Sequence, residues 1–421
     1  MANGPKWTGI LAAMCIGLTA ENARAQADYV PPLSGAALSQ WQVQGEYYGT
    51  IAGGGGLGAW LIARGTDSYN VVFLPGGLVT LPGTNYGGFD KTGWAINTFS
   101  GTAKLTGTAF AVTTTSKYNA TTITGTGESR IMTGTSPTGA AFTLNRVVRN
   151  SPVHLLKPKA EWGTAKLWFD STTGQADLAK WARQENDVQL SRKNLYRGIH
   201  SVENHGGGFL HVEFQGCFNP TASGQGRSNS GIYLQSRFEA QVLDSFGNAL
   251  AIDEYGSIYT IKAPPINVAL PPLTWHTYDI YFTPRSSGTG PSTAGAAVMT
   301  VYANGVLVQD QTVVSNKTTA APLDDKVGDG PLYLQNHNNE VVYNNIWFIP
   351  GATTTSLPYA KVLESATVGI GGKKDNMLRP LPDQKENIGL SERFDLSGRT
   401  IRKGESVLSI QPLFQFDRVK N

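Results

Sequence analysis

Hydrophobic and polar positions alternate with period two in short runs along most of the chain. The longest run is Arg227 to Asp244, RSNSGIYLQSRFEAQVLD. Ile232, Leu234, Phe238, Ala240 and Val242 form an apolar set broken only at Ser236, while Tyr233, Gln235, Arg237, Glu239 and Gln241 form an unbroken polar set. Such alternation predicts a strand with one face on a core and the other on solvent or ligand. Phe209 to Phe214 repeats the pattern with His211 and Glu213 on its polar side. Leu332 to His337 does so with Tyr333, Gln335 and His337. Placed in one sheet, these three polar sets would line a single wall.

The remaining apolar runs are short and bounded by Gly, Pro, Asn and Asp, which reads as hairpins. Residues 28–150 predict a small β barrel or β sandwich. Residues 151–163, with Pro152 and Pro158, read as a linker, and residues 164–350 as a larger two-sheet antiparallel sandwich. Residues 351–421 read as a largely irregular tail with one strand near Val407 to Ile410. The run Gly53 to Gly56 lacks the Lys-Ser/Thr of a phosphate loop and predicts a hairpin tip.

Composition supports an all-β chain rich in turns. Of 421 residues, 49 are Gly and 22 Pro, and only 15% are charged. The net charge of +3 comes without a Lys/Arg stripe, so nucleic acid is not an expected partner. At the N-terminus, Lys6 precedes the apolar run Trp7 to Ala20, and Ala23-Arg24-Ala25 offers a cleavage site before Gln26. Residues 1–25 therefore predict an export signal, and the mature chain a periplasmic, cell-surface or secreted location with no membrane span. Cleavage leaves Cys217 as the single thiol, so no internal disulfide is expected.

Candidate chemistry concentrates on the long alternating run. Glu239 and Gln241 share a face, and a β-bulge would bring Asp244 to the same side. Two carboxylates on one face could divide the roles of base or nucleophile and general acid. The spacing Glu-x-Gln-x-x-Asp resembles the Glu-x-Asp-x-x-Glu pattern of family sixteen β-glucanases, with Gln and Asp replacing two of its carboxylates. The competing reading is an Arg237–Glu239 ion-pair ladder, with Asp244 opening a turn. His205, His211 and His337 are too scattered for a metal site, and no cofactor motif or nucleophile elbow occurs, so neither metal nor cofactor is expected. Lys262, ahead of Ala263-Pro264-Pro265, is a candidate for the rim.

From Leu167 to Pro350 the chain resembles the 3-keto-disaccharide hydrolase family. Asp177 to Trp181, Leu210 to Phe214, Arg227 to Ser245, Trp275 to Ile280 and Gly330 to His337 carry the likeness. It departs at Asn336-His337-Asn338, where the family has Asp-His-Gly, and at Asn344, where it has Arg. The resemblance implies a concanavalin-like jelly roll and a carbohydrate partner. It also implies cleavage of a 3-keto-glycoside, in which the C3 ketone acidifies the C2 proton. Glu239 or His337 would then be the base and Asp244 or Glu213 the acid. Arg237, Gln235 and Gln241 would be donors, with Tyr233 and Gln335 among the sugar contacts. A glycan-binding module without catalysis is the alternative, since this fold serves both uses.

Overall fold

The computed structural model describes residues 33–89, 99–113, 117–168, 181–183, 198–371, 393–394 and 400–401. The expected export signal and the strand near Val407 lie outside them. Among the described residues no helix is long and apolar enough to cross a membrane.

After helix α1 (Gly35–Val43) come β1 (Gly45–Ile51), β2 (Gly56–Ala63), β3 (Ser68–Pro75), β4 (Phe99–Thr106), β5 (Ala109–Thr113), β6 (Asn119–Thr124), β7 (Ile131–Thr135) and β8 (Ala141–Val147). β1 pairs with both β2 and β8, so the eight strands close a barrel. The tip between β1 and β2 uses Gly53, Gly54 and Gly55 at φ 88, 116 and 94, a region open to glycine but costly for other residues. Along β2, Leu57, Ala59, Leu61 and Ala63 fill the barrel with Tyr47, Phe73 and Phe142. Trp60 and Ile62, of opposite parity, join the core of the next fold instead. This strand is nearly continuous in apolar residues because both of its faces are buried.

The larger fold is an antiparallel sandwich, as the alternating runs predicted. Its strands are β9 (Lys166–Leu167), β10 (Trp181–Arg183), β11 (Ile199–His205), β12 (Gly208–Gly216), β13 (Ser230–Leu234), β14 (Phe238–Val242), β15 (Trp275–Thr283), β16 (Ala297–Ala303), β17 (Val306–Val314), β18 (Gly330–Leu334) and β19 (Val341–Pro350). A five-stranded sheet runs β10-β11-β18-β13-β14, and a six-stranded sheet runs β17-β16-β15-β12-β19-β9. Leu210, Val212 and Phe214 of β12 meet Ile232, Leu234, Phe238, Ala240, Leu332 and Leu334 in the shared core. Each of these Val, Leu, Ile and Phe side chains taken from water stabilises the fold by roughly 1.5–3 kcal/mol.

Two segments expected to be irregular are built into this fold. Within 151–163, Val153, Leu156 and Trp162 pack with Phe209, Tyr281 and Trp347 on the outer side of the six-stranded sheet. Helix α2 (Tyr359–Gly371), inside the expected tail, adds Tyr359 and Val362 to the same cluster. In a separate unit, β20 (Arg393–Phe394) pairs antiparallel with β21 (Thr400–Ile401).

Candidate functional site

The long alternating run is not one strand but the β13–β14 hairpin. Gln235 and Ser236 both take left-handed φ angles, 52 and 57, and the Arg237 amide donates to Leu234 O at 3.0 Å. Positive φ at both central residues is the twist that joins antiparallel strands tightly. Leu234 pairs with Phe238, four positions on, so the inside–outside parity of the run survives the reversal. Tyr233 and Glu239 consequently lie directly opposite each other on the outer face.

The register extends this pair into a row. Glu239 of β14 pairs with Tyr233 of β13, Tyr233 with Tyr333 of β18, and Tyr333 with His200 of β11. Gln335 closes one side, its Nε2 donating to the Tyr233 hydroxyl at 3.0 Å. That hydroxyl donates in turn to the Glu239 carboxyl. The two tyrosine rings meet edge to face at 5.3 Å, and the His200 ring lies 4.6 Å from Tyr333. Gly231 makes room for the carboxylate, because a Cβ there would collide with Glu239 Oε1 and crowd the Tyr233 ring.

Glu239 is only 1% exposed, and its Oε2 has no hydrogen-bond partner. Burial raises its pKa to about 8, against the opposing pull of the Tyr233 hydrogen bond. The carboxyl is therefore largely in its acid form at neutral pH and close to its titration midpoint. Gln241 Oε1, His200 Nε2 and Ser257 Oγ are likewise buried without partners, and the Ser257 carbonyl accepts the Gln241 amide. Unsatisfied buried heteroatoms are costly to a fold.

The other expected site residues go elsewhere. No bulge carries Asp244 back to the face of Glu239. Its Oδ2 accepts from Arg227 Nη2 at 2.6 Å, both side chains are buried, and its Oδ1 takes the Phe246 amide at the start of a turn. Glu213 belongs to the opposite sheet and faces away from the hairpin. It accepts from His154 Nδ1 at 2.7 Å, Asn345 Nδ2 at 2.8 Å and the Leu155 amide. Arg237 donates to Asp324 O, Gly328 O and Gln235 Oε1, and Gln235 Nε2 donates to His205 O. These two lock the turn, and no ion pair joins Arg237 to Glu239 among the described residues. Lys262 is exposed and donates to Thr312 of β17, while His337 is exposed in the loop after β18. Gln241 stays on β14, its Nε2 donating to Gln225 Oε1 and Asp253 O.

A second polar centre lies on the outer side of the six-stranded sheet. His211 Nδ1 donates to Asp279 Oδ1 at 2.6 Å, and its Nε2 lies 3.3 Å from Glu213 Oε1. Tyr359 of α2 donates to Asp279 Oδ2 at 2.5 Å. Burial lowers the His211 pKa, but Asp279 and Glu213 outweigh it and raise it to about 9. Burial raises the Glu213 pKa, but His154 and His211 outweigh it and lower it to about 2. With these groups buried and mutually paired, this network ties residues 154–156 and α2 to the sheet.

Sequence reading missed His200, because no strand was expected over residues 199–205. Over those residues the aliphatic side chains are Ile199 and Val202, whose spacing of three does not mark one face of a strand.

A family model described as a 3-keto-alpha-glucoside-1,2-lyase-like domain matches residues 164–349. Solved structures of three proposed glycosyl hydrolases from Parabacteroides distasonis ATCC 8503 are similar to this chain. One is 30% identical, covers 44% of this chain and 83% of its own, and superposes with a TM-score of 0.39. The second is 17% identical, covering 46% and 97% with a TM-score of 0.33. The third is 15% identical, covering 45% and 100% with a TM-score of 0.28. No curated protein matches the chain.

Proposed function

Because the larger fold of this chain, residues 164–349, belongs to the 3-keto-alpha-glucoside-1,2-lyase-like family, we propose that it cleaves 3-keto-glycosides on the outer face of its five-stranded sheet. The family places it among carbohydrate hydrolase-like domains. Residues 1–25 would direct its export.

The observation that carries the reading is Glu239: a buried carboxyl with one unpartnered oxygen and a pKa raised to about 8. A group of that kind can take and return a proton within one turnover. The C3 ketone acidifies the C2–H bond, so the Glu239 carboxylate removes that proton and the electron pair forms the enolate. The enolate collapses to a C1–C2 double bond and breaks the bond from C1 to the glycosidic oxygen, which takes the proton back from Glu239. Water then adds across the double bond to give the free 3-keto sugar. Tyr233, donating to the carboxyl, holds it in place and favours its ionised form.

Turnover of a 3-keto-disaccharide and of its unoxidised parent, by wild type and Glu239→Gln, tests this. The reading expects wild type to cleave the keto sugar alone and the variant neither. Equal cleavage by wild type and variant would remove Glu239 from the chemistry.

A glycan-binding domain without turnover is the second reading. It is favoured by the diversion of Asp244 and Glu213, which leaves Glu239 as the one expected carboxylate on this face. Retained binding of the keto sugar with no cleavage by wild type would select it.

A further inference from the structure

Glu239 is 1% exposed, so in this conformation no sugar reaches its carboxyl. Part of its cover is the connection between β17 and β18. Thr318 sits at the free edge of β14. Its Oγ1 accepts the Glu239 amide at 3.1 Å, and its own amide donates to Arg237 O at 2.9 Å. Ala321 then packs with the rings of Tyr233 and Tyr333, and the Leu323 amide donates to Ser236 O at 3.1 Å. The connection thus climbs from the edge of β14 onto the face that carries Glu239.

This connection is built as a hinged flap. One buried guanidinium clips its two stems together: Arg285 Nη2 donates to Ser315 O at 2.8 Å and to Asp325 Oδ2 at 2.7 Å. Just inside the stems, Lys317 Nζ meets Asp324 Oδ1 at 2.6 Å on the surface. Residues 316–324 therefore leave and return at nearly one point, the form of a compact Ω-shaped surface loop. Within them only Thr318 and Ala321 are buried, and these are the residues that touch the Glu239 row. Ala320, between the two, holds a left-handed φ of 62, a strain that an opened loop would release. The loop meets the neighbouring turn through exposed hydroxyls, Thr319 Oγ1 lying 2.9 Å from Thr260 Oγ1. Small side chains, polar contacts and local strain make a cover that lifts at small free-energy cost, while the Arg285 clip keeps its stems in place.

We propose that residues 316–324 are a lid that swings about the Arg285 clip, closed over Glu239 in this conformation and open when substrate enters and product leaves. The inference rests on the reading of Glu239 given above and adds to it how the buried carboxyl is reached. Lids of this kind keep water from the reacting groups while closed, and their opening sets the pace of entry and release.

Cross-linking of the full chain tests the lid without a sugar. In the double variant Thr260→Cys, Thr319→Cys, the two side chains that already meet form a disulfide on oxidation and fix the loop closed. Glu239 is probed with a water-soluble carbodiimide and a small amine, and the labelled peptide is quantified by mass spectrometry. Wild type and the reduced variant should label, the oxidised variant should label roughly tenfold more slowly, and dithiothreitol should restore the rate. Thr318→Val needs no cross-link and decides alone if none forms. It removes the hydroxyl that accepts the Glu239 amide and should speed labelling roughly fivefold, as for one lost hydrogen bond. Asp244, buried with Arg227, should stay unlabelled throughout. Equal labelling of the oxidised and reduced variant, no labelling of Glu239 in any form, an unchanged rate in Thr318→Val, or labelling of Asp244 alongside Glu239 would overturn the inference. The lid and the reaction fail separately. Gated labelling with no turnover of a 3-keto-disaccharide by wild type would leave the lid standing and remove the reaction. Turnover dependent on Glu239 and undiminished by the cross-link would do the reverse.

Discussion

Tyr233 and Glu239 face each other across the β13–β14 hairpin, and the tyrosine hydroxyl donates to a carboxyl that is 1% exposed. Gln335 donates to the same hydroxyl, which directs the tyrosine proton toward the carboxyl. The pair is thus oriented from both sides, and Glu239 Oε2 is left without a hydrogen-bond partner.

Replacing Tyr233 with Phe removes the one interaction that holds the Glu239 pKa down. The carboxyl should titrate above its present value of about 8, and the limb of the pH–rate profile assigned to it should move to higher pH. The fold should lose about 1 kcal/mol, because Gln335 Nε2 keeps a polar group without its acceptor. Chemical denaturation and a pH–rate series read the two effects separately.

Glu239 should also cost stability as the pH rises. Its folded pKa is raised from 4.5 to about 8, so the folded state holds a proton that the unfolded state releases. The associated stability is fully present below about pH 4.5 and is lost as the pH climbs through 8. Glu239→Gln, which does not ionise, should therefore melt closer to wild type at pH 5 than at pH 8.5, with the variant gaining relative to wild type across that interval. A constant difference in Tm between the proteins would contradict the buried, protonated state.

Asp244→Asn should damage the fold and spare the chemistry. Its bond with Arg227 is buried, and removing one partner of such a pair typically costs about 3–5 kcal/mol. Arg227 also donates to Ala63 O of β2, so the loss should register where the sandwich meets the barrel. Activity per folded molecule, with the folded fraction measured by circular dichroism, should stay near wild type.

The network behind the six-stranded sheet has its own pH window. Glu213, depressed to about 2, contributes stability that is present above about pH 4.5 and lost as the pH falls through 2. His211, raised to about 9, contributes stability that is present below about pH 6.5 and lost as the pH rises through 9. Both contributions are complete between about pH 4.5 and 6.5. The double variant Glu213→Gln, His211→Gln should differ most from wild type in that window and less on either side. Thermal melts from pH 3 to pH 10 check this.

The parts of this structure legible in sequence were those set by local periodicity. Apolar-in, polar-out parity along Ile232 to Val242 placed Tyr233 and Glu239 on one face, and it did so although the chain reverses between them. The reversal itself was hidden because Gln235-Ser236 carries no Gly, Asn or Asp to announce left-handed φ. Parity also says whether a side chain faces the core, but not which sheet its strand joins. For that reason the pattern around Glu213 does not reveal that its strand, β12, lies in the six-stranded sheet and not beside Glu239. Asp244 was misplaced by a partner 17 residues earlier in the chain, which no local pattern exposes. His200 acquires its place beside Tyr333 through pairing with β18, more than a hundred residues away.

The central claim is that Glu239 handles the C2 proton of a 3-keto-glycoside, and the most direct measurement follows that atom. A 3-keto-disaccharide deuterated at C2 is mixed with wild type and with Glu239→Gln, and loss of the label is followed by NMR. Wild type should release deuterium together with glycosidic cleavage. The variant, equally folded, should be slower by roughly 10²–10⁴-fold in both. Release of the label by Glu239→Gln at the wild-type rate, or cleavage by wild type with the label retained at C2, would contradict the account.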